Sequence, residues 1–316
     1  MEEKIKGFCE YCGLGGVRTM RPVSGGLLHT MYKVKTSTGV YAVKVLNPEV
    51  MRRPKALQNM THSEKIAHEL ERVVPLVAAK EFEGSHTVKW EGTWFMVFDW
   101  LDGVSLFTAD ITTEHCGKIG DALGKIHAAN VQIEGIIPET EVRKEYDWSL
   151  LEDEYLPELT ELDAEVVRAL KVMSSHQVIS HRDLDPKNVM WQSGKPYIID
   201  WEAAGYVNPY QELVEVLNYW IADETGSQKF RKFEALMSAY AAHMPVDSVD
   251  WDSVLLCSFD GMLGWLEYNV RRAAGQTGNN AKDREEGKKQ VTFTIAEIKQ
   301  QRTQLTKLRR RLYEFK

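Results

Sequence analysis

Two short segments constrain this chain more than any others: His181-Arg182-Asp183-Leu184-Asp185-Pro186-Lys187-Asn188 and, twelve residues after Asn188, Asp200 in Tyr197-Ile198-Ile199-Asp200-Trp201. Asp183 and Asn188 share one tight loop, and Asp200 ends an apolar run. A fold that uses them together must bring that loop and the end of that run to a common crevice. Such a set suits phosphoryl transfer, which asks for placement of an acceptor hydroxyl and neutralisation of charge on phosphate oxygens, usually through magnesium. Asp183 can face the hydroxyl, while the amide oxygen of Asn188 and the carboxylate of Asp200 can hold the metal.

The spacing resembles the catalytic loop H-x-D-x-x-x-x-N of the kinase fold. It is closest to the aminoglycoside phosphotransferase and choline kinase superfamily, which shows H-G-D-x-x-x-x-N followed by I-D-W or I-D-F. Arg182 stands where that superfamily usually has a small residue. The resemblance implies an α+β, bilobal protein-kinase-like fold. Residues 1–101 would form a small antiparallel β-sheet lobe that binds nucleotide, and residues 102–316 a larger, mainly helical lobe for catalysis and substrate.

Thr30–Thr36 alternates apolar and polar side chains as a strand does, and Val40–Val45 follows the turn Ser37-Thr38-Gly39, so the two form a hairpin. Before it, Arg21-Pro22-Val23-Ser24-Gly25-Gly26 reads as a turn. Gly25 and Gly26 let backbone N–H groups approach phosphate oxygens, and the superfamily commonly has S-G-G at this point, which adds Ser24 to the expected nucleotide contacts. By the same resemblance Lys44 in Ala42-Val43-Lys44 grips phosphate, and Glu64, on a helix ending near Pro75, braces Lys44, with Glu69 in reserve. Trp94–Phe98 is a buried strand leading to a hinge, where the Asp99 carbonyl and the Leu101 amide would bond the base of ATP or GTP.

Net charge is -7. It is unevenly spread, at +3 over residues 1–101, -18 over 102–270 and +8 over 271–316. So negative a middle segment disfavours nucleic acid as a partner and favours a cationic small-molecule hydroxyl acceptor. Four cysteines form no disulfide framework, and Cys9 and Cys12 read as one turn of an N-terminal helix. No apolar run is long enough for a membrane span, and the start Met1-Glu2-Glu3-Lys4 lacks the apolar core of a signal peptide, so the expected location is cytoplasmic. The sequence sets no oligomeric state.

Further along, His127 reads as a core histidine, and the acidic stretch 141–165, with Asp153 and Glu154, as one wall of an acceptor pocket. Glu212 reads as a brace of the catalytic loop. Aromatic residues such as Trp251 and Trp265 read as packing before cation binding. Residues 272–289 are expected to form a mobile loop, and 290–316 a helix docked through Ile295, Ile298, Leu305, Leu308 and Leu312.

Two other functions share parts of this pattern. Arg182 in His181-Arg182-Asp183 suggests a protein Ser/Thr kinase. Against it, Asp185 replaces the lysine that such kinases place two residues after the catalytic Asp, and Trp201-Glu202 follows Asp200 with no D-F-G or A-P-E. A non-catalytic nucleotide-binding protein on a kinase scaffold conflicts with the occupied catalytic positions.

Overall fold

The computed structural model describes residues 1–23, 29–221, 226–277 and 281–315, with backbone only at 226–228. In chain order the elements begin with helix α1 (Glu2–Tyr11) and strands β1 (Val17–Val23), β2 (Thr30–Thr36) and β3 (Val40–Val45). Helices α2 (Pro48–Met51) and α3 (Ala56–Leu70), strands β4 (Val88–Trp90) and β5 (Thr93–Asp99) and helices α4 (Thr113–Ala129) and α5 (Leu156–Met173) follow. Next come strands β6 (Val178–Ser180), β7 (Val189–Gln192), β8 (Lys195–Ile198) and β9 (Gly205–Val207). Helices α6 (Pro209–Trp220), α7 (Gly226–Ala241), α8 (Trp251–Cys257), α9 (Asp260–Ala273) and α10 (Ala281–Glu314) close the chain.

Five strands pair antiparallel in the order β1-β2-β3-β5-β4. Period-2 alternation divides their side chains between two apolar layers. Val34, Val43, Val45, Phe95 and Val97 meet Ile5 and Phe8 of α1, with the Phe8 and Phe95 rings stacked at 4.3 Å. Met96, on the other face, packs with Met60 of α3 and with Leu46 and Ala79. Lys44 lies in register with Met96, so it points to the α3 face while its neighbours Val43 and Val45 fill the α1 face.

Arg21, Pro22 and Val23, expected in a turn, belong to β1. Proline has no N–H for a ladder and is tolerated on an edge strand; β1 is such an edge, with Pro22 opposite Tyr32. Cys9 lies on α1 and Cys12 just past it, both as free thiols. Burial pushes them up, to about 11 and about 12, so they stay protonated.

The chain divides into two compact units. The first comprises Met1–Ile136, Ile179–Gly205 and Tyr219–His243; the second comprises Ile137–Val178, Tyr206–Asn218 and Met244–Lys316. This division does not follow a cut at 101/102. The β7–β8 hairpin is sewn to the N-terminal part of the chain by bridges from Ile198 to Leu76 and from Trp191 to Val104.

In the second unit Trp148, Leu162, Val166, Leu263, Leu266, Ile295 and Ile298 form one core. Helix α10 docks there through the apolar face that its sequence shows. It begins at Ala281, so residues 281–289, expected in a mobile loop, are helical. Gly287 is the reason the sequence misleads. A Cβ there would lie 2.7 Å from the Ala273 backbone nitrogen, so this glycine permits close helix approach and does not mark a loop.

In the first unit α4 and α7 pack backbone to backbone. A Cβ on Gly120 would run into the Leu236 carbonyl, and one on Gly124 would come to 3.0 Å from the Tyr240 carbonyl oxygen. Gly120→Ala is expected to destabilise the protein by about 2 kcal/mol through overpacking, read from the urea midpoint. Gly261→Ala on α9, where the added methyl meets nothing within 4 Å, is expected to gain about 0.5 kcal/mol.

Candidate active site

The loop after β6 is fixed from below by His181, which is fully buried. Its Nε2 donates to the Ile199 carbonyl at 3.0 Å, and its Nδ1 accepts from the Asp183 N–H at 3.3 Å. That pairing assigns the proton to Nε2. The ring also packs edge-on to Trp201, 4.7 Å between centroids. Arg182, next in the chain, is left-handed at φ 66, a conformation that costs a residue with a Cβ about 1 kcal/mol. Its guanidinium crosses Gly205, where a Cβ would approach Nη1 to 3.0 Å.

Asn188 is buried, and its Nδ2 donates to both the Asp183 carbonyl at 2.8 Å and the Asp183 Oδ2 at 2.9 Å. With the nitrogen so engaged, Oδ1 is the atom left to meet a ligand. The Lys187 ammonium lies 3.7 Å from Asp183 Oδ2. Asn188 leads directly into β7, and its carbonyl accepts from the Ile199 N–H at 2.9 Å, so the β7–β8 ladder fixes where the chain reaches Asp200. Asp200 is left-handed, at φ 60 and ψ 64, which aspartate tolerates better than most residues. It turns the chain into a single helical turn, Trp201–Ala203, that packs against α3.

Lys44 meets Asp200 at this point. Its Nζ lies 3.2 Å from Asp200 Oδ1 and closer still to Glu202 Oε1. Burial works against the charge, but Asp200 and Glu202 outweigh it and hold the ammonium above the usual lysine value. Glu202 has a second neighbour, His29, whose Nε2 is 3.4 Å from Oε2. Burial pushes the Glu202 carboxyl up, but hydrogen bonding from His29 and the charge and hydrogen bond of Lys44 together pull it down to about 2.

The Lys44–Glu64 brace expected from the sequence is therefore not the pairing observed. Glu64 is buried on α3, but its Oε2 accepts from the Ala79 N–H at 2.8 Å. Burial pushes its carboxyl up to about 6, with the Ala79 hydrogen bond and the charges of His68 and Lys44 offsetting part of the effect. Glu69 instead pairs with Arg72 on the surface. Sequence reasoning missed Glu202 as the partner of the lysine and His29 as the neighbour of Glu202. The available signal was the position of Glu202, two residues past Asp200, and of His29, just after the glycine pair.

At the hinge, the Trp100 N–H donates to the Val40 carbonyl at 3.0 Å and the Lys80 N–H to the Val97 carbonyl at 2.7 Å. By strand alternation the Asp99 carbonyl and the Leu101 amide face away from β3, on the side of the Val97 carbonyl. The Asp99 carboxylate pairs with Lys80 at 2.8 Å. Ser24, Gly25 and Gly26 lie outside the described residues. His127 is a core residue, with Nδ1 2.9 Å from the Tyr240 hydroxyl and Nε2 3.2 Å from Ser180 Oγ.

All of the described residues discussed for the site, Lys44, Glu64, Asp99, Leu101, Asp183, Asn188 and Asp200, belong to the first compact unit. An amide oxygen and a carboxylate are hard ligands suited to magnesium, which keeps waters and takes phosphate oxygens and so needs few protein groups. Among the described residues, no three His, Cys, Asp or Glu side chains cluster to hold a metal. From Asp200 the chain passes through one helical turn and β9 to α6 at Pro209, a stretch with no segment resembling an activation loop.

A profile of the phosphotransferase enzyme family matches residues 19–246. The chain belongs to this family. It is a small-molecule kinase that phosphorylates a hydroxyl group. The phosphotransferase is 22% identical over 277 residues to a homoserine kinase of Methylobacillus glycogenes, spanning 84% of this chain and 83% of that protein. Among solved structures it is similar to a choline kinase of Streptococcus pneumoniae, with 20% identity, a TM-score of 0.58 and coverage of 94% and 99% of the two chains. It is also similar to a spectinomycin phosphotransferase in complex with ADP and spectinomycin, at 13% identity, a TM-score of 0.59 and coverage of 92% and 93%. These structures share the fold of the phosphotransferase. None of its described helices is long and apolar enough to cross a membrane.

Glu64 gives the phosphotransferase a signature in its stability. Its folded-state pKa of about 6 lies above the reference 4.5, so the folded state holds a proton longer than the unfolded one, and stability falls as pH rises from 4.5 through 6. Glu64→Gln removes that slope. Its stability relative to the parent is expected to rise by about 2 kcal/mol between pH 4 and 7, as measured by urea denaturation at each pH.

Proposed function

We propose that the protein transfers the γ-phosphoryl group of ATP or GTP to a hydroxyl of a small cationic molecule, such as an amino alcohol or an aminoglycoside. The observation that carries this reading is the convergence of Asp183, Asn188, Asp200 and Lys44 through direct hydrogen bonds and one short ladder.

Asp183 is the proposed base. Its carboxylate orients the acceptor hydroxyl and takes its proton as the oxygen attacks, and the Asn188 amide holds the carboxylate in one rotamer. Asn188 Oδ1 and the Asp200 carboxylate would hold magnesium, which when bound neutralises charge on the phosphate oxygens. Lys44 grips the phosphates from the sheet. The backbone of Asp99 and Leu101 receives the base, and because backbone groups do so, both purine nucleotides fit. Residues 24–26, before β2, complete the nucleotide site.

The preference for a cation rests on the charge of -18 over residues 102–270. Homoserine and choline, the acceptors named for two of the similar kinases, each join a hydroxyl to an ammonium group. A cytoplasmic location agrees with this metabolic chemistry and with the free thiols.

Asp183→Asn is expected to keep its fold and its affinity for magnesium nucleotide while kcat falls roughly 10²- to 10⁴-fold, measured by coupled ADP release. An unchanged kcat removes Asp183 from the role of base. Turnover across a panel of amino alcohols, aminoglycosides, sugars and macrolides identifies the acceptor. Activity confined to the neutral members defeats the preference for a cation.

A further inference from the structure

We infer that Glu202 and His29 are positioning residues that hold Lys44 in its phosphate-gripping pose, a task the helix residue Glu64 does not perform here. The inference rests on the proposed role of Lys44. It goes beyond it in naming what fixes that lysine.

Lys44 sits largely out of water. Its side chain is only 11% exposed, and a buried ammonium on a flexible stem requires acceptors in fixed places, both to stay charged and to stay in one rotamer. Two carboxylates supply them. Asp200 is 48% exposed and is the residue assigned above to metal, so its oxygens face two tasks. Glu202 is 24% exposed and has no other assigned task.

Glu202 is itself held on two sides. Its backbone sits in the helical turn that Asp200 opens and that α3 packs against. Its second oxygen faces His29 Nε2 at 3.4 Å. The orientation of His29 is not arbitrary, because its Nδ1 accepts from the Asn47 N–H at 2.9 Å. This bond assigns the ring proton to Nε2, the ring atom nearest Glu202. Asn47 is in turn the N-cap of α2, its side chain accepting from the Glu49 N–H at 2.9 Å. A chain of contacts therefore runs from the cap of α2 through His29 and Glu202 to the ammonium of Lys44.

Glu64 is the natural competitor. It is near enough to feel the Lys44 charge, but its carboxylate is engaged by the Ala79 amide at 2.8 Å, and it makes no direct contact with Lys44 among the described residues. Its part is to join α3 to the segment before β4, while Glu202 takes the lysine.

The test compares Glu202→Gln, His29→Leu, His29→Gln and Glu64→Gln with the parent protein, and repeats Glu202→Gln in a Lys44→Met background. Affinity for magnesium ATP is read by calorimetry, kcat and KM by ADP release, and folding by thermal melting. Glu202→Gln is expected to weaken magnesium ATP binding about tenfold or more, the range for losing a hydrogen bond between charged groups. In the Lys44→Met protein the same change is expected to add less than about twofold, because residues acting through one partner are non-additive.

His29→Gln, which keeps an N–H donor for Glu202, is expected to bind better than His29→Leu. Should His29→Leu fail to fold, the near-isosteric Glu202→Gln decides the matter. Full additivity of Glu202→Gln with Lys44→Met, or a larger loss from Glu64→Gln than from Glu202→Gln, overturns the inference while leaving the proposed function intact. A parent protein that binds neither magnesium ATP nor magnesium GTP defeats the proposed function, and the brace with it.

Discussion

A buried ammonium between two carboxylates is the interaction around which the first unit is arranged. Lys44 comes from the penultimate position of a strand, whereas Asp200 and Glu202 come from a turn more than 150 positions later in the chain. Isolated charges out of water are unstable, so the buried ammonium is tolerable only in the presence of these carboxylates. The sheet register that aims Lys44 at α3, the left-handed turn at Asp200 and the packing of α3 on that turn are all conditions for the contact. A change that shifts the register of β3 by one residue would send the lysine into the apolar layer under α1 and leave the acids unpaired.

How much of this was legible in the sequence depended on the type of signal. Alternation over Thr30–Thr36, followed by a turn and the apolar run Val40–Val45, revealed the hairpin, because a strand with unlike faces writes its period into the residues. The loop from His181 to Asn188 was legible because a tight loop closed by one amide leaves few spacings open. The same amide, by bonding both the carbonyl and the carboxylate of Asp183, joins these two residues in space as the sequence joins them in the motif.

Three features were not legible, and each has a physical cause. Proline beside a glycine pair looks like a turn, yet β1 is an edge and loses nothing essential at Pro22. Gly287 within a polar stretch looks like a loop, yet α10 needs a missing side chain there to approach Ala273. Spacing brought Glu64 near Lys44, as expected, but proximity does not say which of several carboxylates an ammonium will choose. That choice was settled by the Ala79 amide, a backbone group about which sequence patterns are silent.

The β7–β8 hairpin, four residues on each strand, ties Asn188 at its entrance to Ile199 and Asp200 at its exit. The spacing of the backbone at those two proposed oxygen donors is thus set by the β7–β8 ladder. Evolution can rewrite the walls that choose an alcohol while the ruler measuring out the donors keeps its length. A lineage built on such a ribbon is free to change what it phosphorylates without relearning how.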